Sequence, residues 1–491
     1  MRMRPKPLDQ IDPQRAWQPW RPDSIRPFDV RWAGHLFRRA AFGGTPDELR
    51  QAVKDGLDAT LNRLLKGDPA AAAFEPVIAS SGASIAAGGD ENDLRGWWLY
   101  VMLHSGHPLR EKLTLFWHNH FATSIAKVRA TTAMWGQNQT LRKHALGSFR
   151  AMLADVSRDP AMLIWLDSNR NVRGQPNENY ARELMELFTL GIGRYTESDV
   201  REAARAFTGW HTDGDRFRFA PRFHDGGRKT VLGQAGPWTG DEVQRIVLSQ
   251  PAAGLFLARK LYRAFISEST EPPDALLEPL AESLRTSDFD IGRTVAMVLR
   301  SQHFFSEHAY RQRIKSPVEH VLGIVRIVRP ATQPRELIRP LEQMGQALFA
   351  PPNVKGWPGG KAWLNSATML ARQNFAQAMI GETQAAPAPP AGTPAPTDPP
   401  AADVALAAPA PHPVMGQAAP FIAWIAEQNL ASPAALVDLV TDALLQADVL
   451  PAERQRLIDF AAAGNPQGAQ REQRIAEVAH AVMSLPEFAL A

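Results

Sequence analysis

The stretch from Asn177 to Gly191 holds the residues of this chain best suited to proton transfer. It is predicted as one helix, with Asn177 as the N-cap and Gly191 as the residue that ends it. At about 100° per residue, Arg182, Glu183 and Glu186 fall on one polar face. Two interpretations are open for that face. It is either a solvated surface with ordinary ion pairs around Arg182, or the wall of a site whose carboxylates bind a cation or move a proton.

A second group lies in the stretch from Phe116 to Phe121, at the end of a predicted helix. If the helix continues, the side chains of His118 and His120 diverge by about 200° and cannot share a ligand. If it unwinds at Asn119, the two rings converge. Imidazole is a common metal ligand, and an aromatic-flanked histidine pair is equally consistent with core packing. His118 and His120 are therefore candidate metal ligands.

A third group combines a turn and a loop. His224, Asp225 and Lys229 form a turn dense in titratable groups, which the aspartate side chain alone could also stabilise. Further along, residues 351–360 contain three prolines and three glycines and cannot be helical. Such a rigid loop is expected to line something. The candidate binding residues of the chain are Asn177, Trp210, Asn353, Lys355 and Trp357.

Composition excludes several kinds of site. The chain has no cysteine, so disulfides and cysteine-ligated metals are absent. A formal net charge of +3 over 491 residues, without a nucleic-acid motif, argues against nucleic acid as a partner. No apolar run approaches the roughly 18 residues of a membrane span, and no secretory signal is visible at the N-terminus.

Helical periodicity runs through most of the chain, and strand signals are few. We expect a mainly α fold, an irregular multi-helix globular domain with at most a short β-hairpin near residues 217–223. A mobile loop is expected at 68–92, which is rich in Ala, Ser and Gly. The predicted organisation is an extended N-terminal arm at 1–26, a helical core at 27–383, an Ala/Pro-rich linker at 384–414 and C-terminal helices at 415–491.

Several of these stretches, in this order, resemble one family, the bacterial DUF1800 proteins of unknown function. The matching motifs are Gly34 to Gly43, Phe116 to Phe121, Asn177 to Gly193, Ala203 to Trp210, His224-Asp225 and Pro351 to Gly360. The likeness covers about residues 30–380 and implies a fold and a set of positions, but no established reaction. It also implies an exported location and a sulfatase-like partner protein. Without a visible signal, the cytoplasm is the default expectation.

Two functions are consistent with these residues. The first is a metal-dependent or acid–base enzyme with a His/Glu-lined cleft and, in the metal-dependent case, a divalent metal as cofactor. Asp225 would hold an imidazole tautomer, and Arg182 and Lys229 would stabilise negative charge on the substrate. The side chains that would supply nitrogen or oxygen atoms are His118, His120, His224, Glu183 and Glu186.

The second function is that of a non-enzymatic helical scaffold or a protein that binds a polysaccharide or a partner. Trp210, Trp357 and Trp363 would then present flat faces to sugar rings or partner side chains. The polar residues would form a buried network that fixes the fold. Convergence of the histidines and glutamates in an open pocket would favour the enzyme, and their dispersion would favour the scaffold.

Overall fold

The computed structural model describes residues 7–381, 420–428 and 430–491, and the predicted linker at 384–414 lies outside them. The fold is mainly α, as predicted. The α-helices of the described residues are α1 Pro13–Ala16, α2 Val30–Ala40, α3 Pro46–Asp55, α4 Leu57–Lys66, α5 Phe74–Gly88, α6 Glu91–His104, α7 Pro108–His120, α8 Ile125–Val128, α9 Thr131–His144, α10 Phe149–Ser157, α11 Pro160–Trp165, α12 Asn179–Glu183, α13 Glu197–Ala206, α14 Gly240–Leu248, α15 Pro251–Phe265, α16 Asp274–Thr286, α17 Ile291–Arg300, α18 Pro317–Val328, α19 Ile338–Gln343, α20 Ser366–Ile380, α21 Pro420–Glu427, α22 Pro433–Leu445, α23 Pro451–Ala462 and α24 Ala469–Met483.

Two short antiparallel hairpins interrupt the helices. Strand β1 (Trp210–Asp213) pairs with β2 (Arg216–Phe219), and β3 (Lys229–Val231) pairs with β4 (Gln234–Gly236). The β1–β2 turn has two central residues, and the first, Gly214, has φ +61°. Glycine at this position suits a type II′ turn. The hairpin predicted near 217–223 is therefore present, but it begins earlier in the chain.

The described residues form two compact units. Of these residues, the first unit comprises 7–323, 333–368 and 489–491, and the second comprises 324–332, 369–381, 420–428 and 430–488. In the second unit, α22 packs against α23 and α24. Every residue predicted for the functional site belongs to the first unit.

The core of the first unit forms around α7. Trp117 and Phe121 are fully buried at the end of this helix. Trp117 packs on Phe149 of α10, with ring centroids 5.5 Å apart, and Phe121 packs on Phe188 at 5.1 Å. Aromatic pairs of this kind stabilise a core beyond their buried area. The same packing brings the end of α7 against the 177–191 stretch.

Local sequence rules explain several helix starts. The capping boxes at Thr45–Glu48 and Thr196–Asp199 are both formed, and they open α3 and α13. The loop expected at 68–92 is wrong, because α5 occupies most of it. Alanine is the strongest helix former. Gly82 also lets α5 approach Trp97 so closely that an added Cβ would lie 2.7 Å from that ring.

Candidate functional site

The 177–191 stretch contains two helical segments rather than the single α-helix predicted. After α12, which ends at Glu183, a π-helical segment spans Leu184–Thr189. At the start, the side-chain oxygen of Asn177 accepts a hydrogen bond from the backbone N–H of Asn179 at 3.0 Å. The helix itself begins at Asn179 with Glu178 as its N-cap residue, so the predicted N-cap position is off by one residue, although the Asn177 oxygen does bind a first-turn N–H.

Further hydrogen bonds accompany the π-helical segment. The hydroxyl of Thr189 donates a hydrogen bond to the backbone carbonyl of Leu184, five residues earlier. Gly191, at φ +87°, donates its N–H to the carbonyl of Met185 at 3.1 Å. These bonds satisfy carbonyl groups of the last turns, and Gly191 ends the helix as predicted. Single π-helical turns occur frequently at functional sites.

Glu183 presents a carboxylate that is partly buried on this helix. Burial raises its pKa, and repulsion from Glu186 adds to the rise, while Arg182 and Lys355 oppose it without cancelling it. Across the described part of the chain, this carboxylate makes no hydrogen bond. Glu186, in contrast, accepts a hydrogen bond from the hydroxyl of Tyr195 at 2.6 Å. The two carboxylates therefore belong to the same helix, but in the described residues only that of Glu186 is hydrogen-bonded.

The 351–360 loop is held against the end of α7. The amide oxygen of Asn119 accepts a hydrogen bond from the backbone N–H of Trp357 at 2.6 Å. Gly356 has φ +81°, and an added Cβ there would lie 2.2 Å from that same oxygen. The position therefore requires glycine both for its backbone angle and for the close approach.

A tight turn within this loop carries its exposed polar residues. The side-chain oxygen of Asn353 accepts the N–H of Lys355 at 2.9 Å, and the Asn353 carbonyl accepts the N–H of Gly356 at 3.1 Å. The side chain of Asn353 thus stabilises the turn. Lys355 is exposed, and its charge acts on Glu183. The turn therefore places an ammonium group near the partly buried carboxylate.

His118 is buried in an aromatic environment. Its ring lies 5.3 Å from Trp98, 5.6 Å from Phe349 and 5.6 Å from Trp357, measured between centroids. Burial lowers the pKa of His118 to about 3, so the ring is neutral at physiological pH. Its Nε2 atom is buried without a hydrogen-bond partner in the described residues.

His120 is buried in a separate aromatic environment. Its ring lies 5.9 Å from Phe188 and 6.3 Å from Phe256. Burial and the nearby ammonium of Lys260 lower the pKa of His120 well below its usual value. Neither ring nitrogen has a well-formed hydrogen bond in the described residues, although the Phe188 backbone lies close enough to favour the charged ring.

Three of the four predicted stretches therefore meet in one neighbourhood. Asn119 joins the α7 terminus to the 351–360 loop, the ring of His120 packs on Phe188 of the π-helical segment, and the charge of Lys355 acts on Glu183. Each of these three interactions links a different pair of the three stretches. We call this neighbourhood the Glu183 site, and its residues are Asn119, His118, His120, Glu183, Glu186 and Lys355.

The expected pairing of His118 and His120 on one metal ion gains no support from the geometry. The α-helix continues through His120, and the two rings consequently lie in different surroundings. Within residues 7–381, 420–428 and 430–491, no three His, Asp or Glu side chains come together as a metal site.

Arg182 lies on the outer side of the helix. It donates to Glu178 at 3.0 Å and to Glu197 at 2.7 Å, and its side chain is 33% exposed. These bonds raise the pKa of Arg182, with the bond to Glu197 contributing most. The interpretation as a solvated surface is therefore correct for Arg182. Its second ion-pair partner is Glu197 rather than the expected Glu186.

The His224-Asp225 turn is a self-contained network. His224 Nδ1 lies 2.9 Å from the carbonyl of Thr208, so the expected Asp225 support of an imidazole is absent here. Arg205 donates to Asp225 at 2.8 Å and lowers the pKa of that carboxyl to about 2. Lys229 is buried and donates to the carbonyls of Asp225 and Gly227. Within the described residues, no hydrogen bond, ion pair or ring contact links this turn to the Glu183 site.

A cavity of about 410 Å³ lies elsewhere in the first unit. It is lined by Glu75, His107, Arg110, Arg142 and Lys143 among others, and none of the predicted site residues borders it. Arg110 and Arg142 are already paired with Glu75 and Glu111. These ion pairs account for the cavity's polar lining without a ligand.

Comparison with known proteins identifies the family. The model of a family described as protein of unknown function (DUF1800) matches residues 35–490, nearly the whole chain. The chain belongs to the DUF1800 family. No curated protein and no solved structure matches it. The match also covers the C-terminal helices, which the sequence resemblance did not reach. A sulfatase-like partner is not tested by these comparisons and stays a prediction.

The tryptophans assigned to the alternative function of this DUF1800 chain are buried. Trp210, Trp357 and Trp363 are each 5% exposed, so none presents a free face to a sugar. Trp210 packs on Phe207 and Phe217 in the β1–β2 hairpin. The expectation of exposed tryptophan platforms is wrong. In the described part of this DUF1800 protein, no single helix is long and apolar enough to cross a membrane.

Lys260 and Tyr195 were missed by sequence reasoning. Lys260 donates to the carbonyl of Leu187 at 3.2 Å, and burial lowers the pKa of this lysine to about 8. A lone lysine on the apolar side of α15 was the signal that could have identified it. Tyr195 follows the end of the π-helical segment, and only folding shows that it reaches Glu186.

Proposed function

We propose that this DUF1800 protein is an enzyme that uses general acid–base catalysis at the Glu183 site. One observation carries the proposal. Glu183 holds a partly buried carboxylate without a hydrogen-bond partner in the described residues, and the pKa of that group is raised. A carboxylate that no protein group engages and that stays partly exposed is free to exchange a proton with a bound molecule.

The surroundings of Glu183 suit proton transfer. A catalytic carboxyl works best when its pKa lies near the operating pH, and burial together with a neighbouring carboxylate moves the pKa in that direction. Glu183 is therefore assigned the proton-transfer role. Glu186, beside it, accepts a hydrogen bond from Tyr195. Paired carboxylates in unequal environments are a recurring basis for assigning acid and base.

Lys355 is assigned to the substrate. Its ammonium is exposed on a turn fixed by Asn353, and it lies near Glu183. A substrate with a negative group would place that group at Lys355 and its reacting atom at Glu183. Because the turn is fixed before binding, little ordering is needed when the substrate arrives.

The proposal is tested by comparing the wild type with Glu183→Gln and a matched control, Glu307→Gln, at an exposed glutamate. The substrates are nitrophenyl esters, phosphates, sulfates and glycosides, which report hydrolysis by colour. We expect Glu183→Gln to lower turnover of the accepted substrate by about 10²–10⁴-fold, and Glu307→Gln to leave it unchanged. Full turnover in Glu183→Gln would contradict the assignment.

A second measurement needs no substrate. A water-soluble carbodiimide activates protonated carboxyl groups, and glycinamide then labels them for peptide mass spectrometry. A carboxyl with a raised pKa keeps its proton, and hence its reactivity, to higher pH. We expect labelling of Glu183 to persist at a pH where labelling of a glutamate in a short unstructured reference peptide has ceased. Equal pH profiles for the two glutamates would remove the chemical basis of the proposal.

A further inference from the structure

A second surface in the first unit concentrates positive charge, away from the contacts of the Glu183 site. Along β2, arginine alternates with phenylalanine through Arg216, Phe217, Arg218 and Phe219. Successive side chains of a strand point to opposite faces. The two arginines therefore share one face of the hairpin, and the two phenylalanines share the other.

The pairing of the strands defines that face. Arg218 lies opposite His211, and Arg216 lies opposite Asp213. The reverse face is used for packing, because the ring of Phe217 lies 5.3 Å from Trp210. The arginine face is consequently the one left to solvent, and Arg218 is 63% exposed there.

Neighbouring segments add cations to this face. Arg222 stacks on the ring of Phe223, with its guanidinium carbon 4.6 Å from the centroid, and Phe223 in turn contacts His211 at 5.4 Å. The backbone N–H of Arg173 donates to the Phe223 carbonyl at 2.8 Å. Arg170 ends a short 3₁₀-helix, Ser168–Arg170, that packs on β1. All three of these arginines are exposed.

The charge balance of this face is one-sided. We call it the arginine face, and its residues are Arg170, Arg173, Arg216, Arg218, Arg222 and His211. Nearby carboxylates are Asp213 and Asp215, and Asp213 lies 3.6 Å from Arg218 in an exposed, weak pair. Five arginines against two aspartates leave +3, which equals the formal net charge of the whole chain. The pKa of His211 is lowered, mainly by burial. The positive charges of Arg218 and Arg222 lower it further.

We propose that the arginine face binds an anionic polysaccharide, whose carboxylate or sulfate groups pair with the guanidinium groups. Guanidinium binds planar and tetrahedral oxyanions through paired N–H donors. Phe223, which is partly exposed beneath Arg222 and contacts His211, supplies flat apolar surface for a sugar ring.

Nucleic acid is the competing polyanion, and the charge distribution disfavours it. Its affinity depends largely on neutralising many phosphates, usually with a basic field over a whole domain. Here the charges of the remaining residues sum to zero, so the arginine face is not part of a basic field that covers the whole domain. A short array of separated anionic groups matches this arrangement better than a continuous phosphate backbone.

The test measures binding of the full chain by calorimetry to polygalacturonate, to heparin, to neutral dextran and to single-stranded poly-dT. The first two probes distinguish carboxylate from sulfate as the recognised group. The test variant is Arg216→Gln with Arg218→Gln. The matched control is Arg50→Gln with Arg293→Gln, which removes the same charge from exposed positions elsewhere in the first unit.

We expect polygalacturonate or heparin to bind the wild type, with an affinity that falls as salt is added, and dextran not to bind. The test variant should lose at least about tenfold in affinity, and the control variant should lose little. An equal loss in both variants would reduce the effect to net charge and overturn the proposal. Absence of binding, or tighter binding of poly-dT through the same arginines, would also overturn it.

Discussion

The side-chain amide of Asn119 clamps the backbone of Trp357 from both directions. Its oxygen accepts the Trp357 N–H at 2.6 Å, and its nitrogen lies 3.5 Å from the Trp357 carbonyl. The residues are 238 positions apart in the chain. Together with the packing of His118 on Trp357, this contact holds the 351–360 loop at the end of α7, where Lys355 is within electrostatic range of Glu183.

Gly356 is predicted to be the most sensitive position of this clamp. Gly356→Ala adds a Cβ that would overlap the Asn119 oxygen, whereas Gly214→Ala meets nothing within 4 Å although its φ is also positive. The control should cost about 1–2 kcal/mol for the backbone angle alone. Gly356→Ala should cost clearly more and should lower the calorimetric melting temperature further. Equal melting temperatures for the two variants would mean that the loop moves away without penalty.

Glu183→Gln is predicted to stabilise the protein at neutral pH. Folding raises the pKa of Glu183, so above that pKa the ionised carboxylate makes the folded state less stable. Below the unfolded value of about 4.3 the carboxyl is protonated in both states, and the cost disappears. The melting temperature of the variant should exceed that of the wild type by about 1 °C near pH 8 and match it near pH 4. A variant less stable than the wild type at pH 8 would contradict the raised pKa.

Arg182→Ala is predicted to have a small effect. Its partners Glu178 and Glu197 are 35% and 69% exposed, and water screens both ion pairs. The change should cost about 0.5–1 kcal/mol and should shrink in high salt. Thermal melts of the variant in low and high salt measure both effects. A loss of several kcal/mol would instead indicate that the outer face of the helix is buried against another surface.

Glu319→Gln is predicted to be strongly destabilising. Burial alone would raise the pKa of Glu319, but Lys112 and Arg313 outweigh it and hold that pKa far below its usual value. The stabilisation is therefore present above the unfolded value of about 4.3 and is lost as the pH falls through the folded value.

Near neutral pH, removal of this charge should cost about 3–5 kcal/mol, because Lys112 and Arg313 stay buried without it. The control Glu91→Gln, in a pair whose glutamate is 48% exposed, should cost under about 1 kcal/mol. Melting temperatures near pH 7 and near pH 3 give the comparison, and the penalty should be smaller at the lower pH. Similar penalties for both variants at pH 7 would contradict the role of the buried network.

Rules that act within a few residues made much of the fold predictable. The capping boxes at Thr45 and Thr196 and the terminator at Gly191 each depend on hydrogen bonds between residues close in sequence. Apolar periodicity likewise indicated a mainly α fold, because helix faces repeat every 3.6 residues. The same rules marked the polar stretches that later met at the Glu183 site, since helix propensity did not demand their residues.

Local rules failed where packing overrode them. The 68–92 segment looked like a loop from its glycines, and Gly82 instead permits close helix packing on Trp97. The π-helical segment at Leu184–Thr189 leaves no mark in the apolar periodicity that would distinguish it from an α-helix. Trp210 and Trp357 looked like binding platforms because large aromatic residues serve in either role, and only burial distinguishes the two.

The sequence by itself therefore determined which residues are polar against local expectation, and where most helices begin and end. Tertiary structure alone decided which of those residues meet. The contact of Asn119 with Trp357, the nearness of Lys355 to Glu183 and the pairing of Asp225 with Arg205 all join segments that are distant or separated by turns. The physical reason is that such contacts follow from how side chains fill a shared core, and that packing involves residues far apart in the chain.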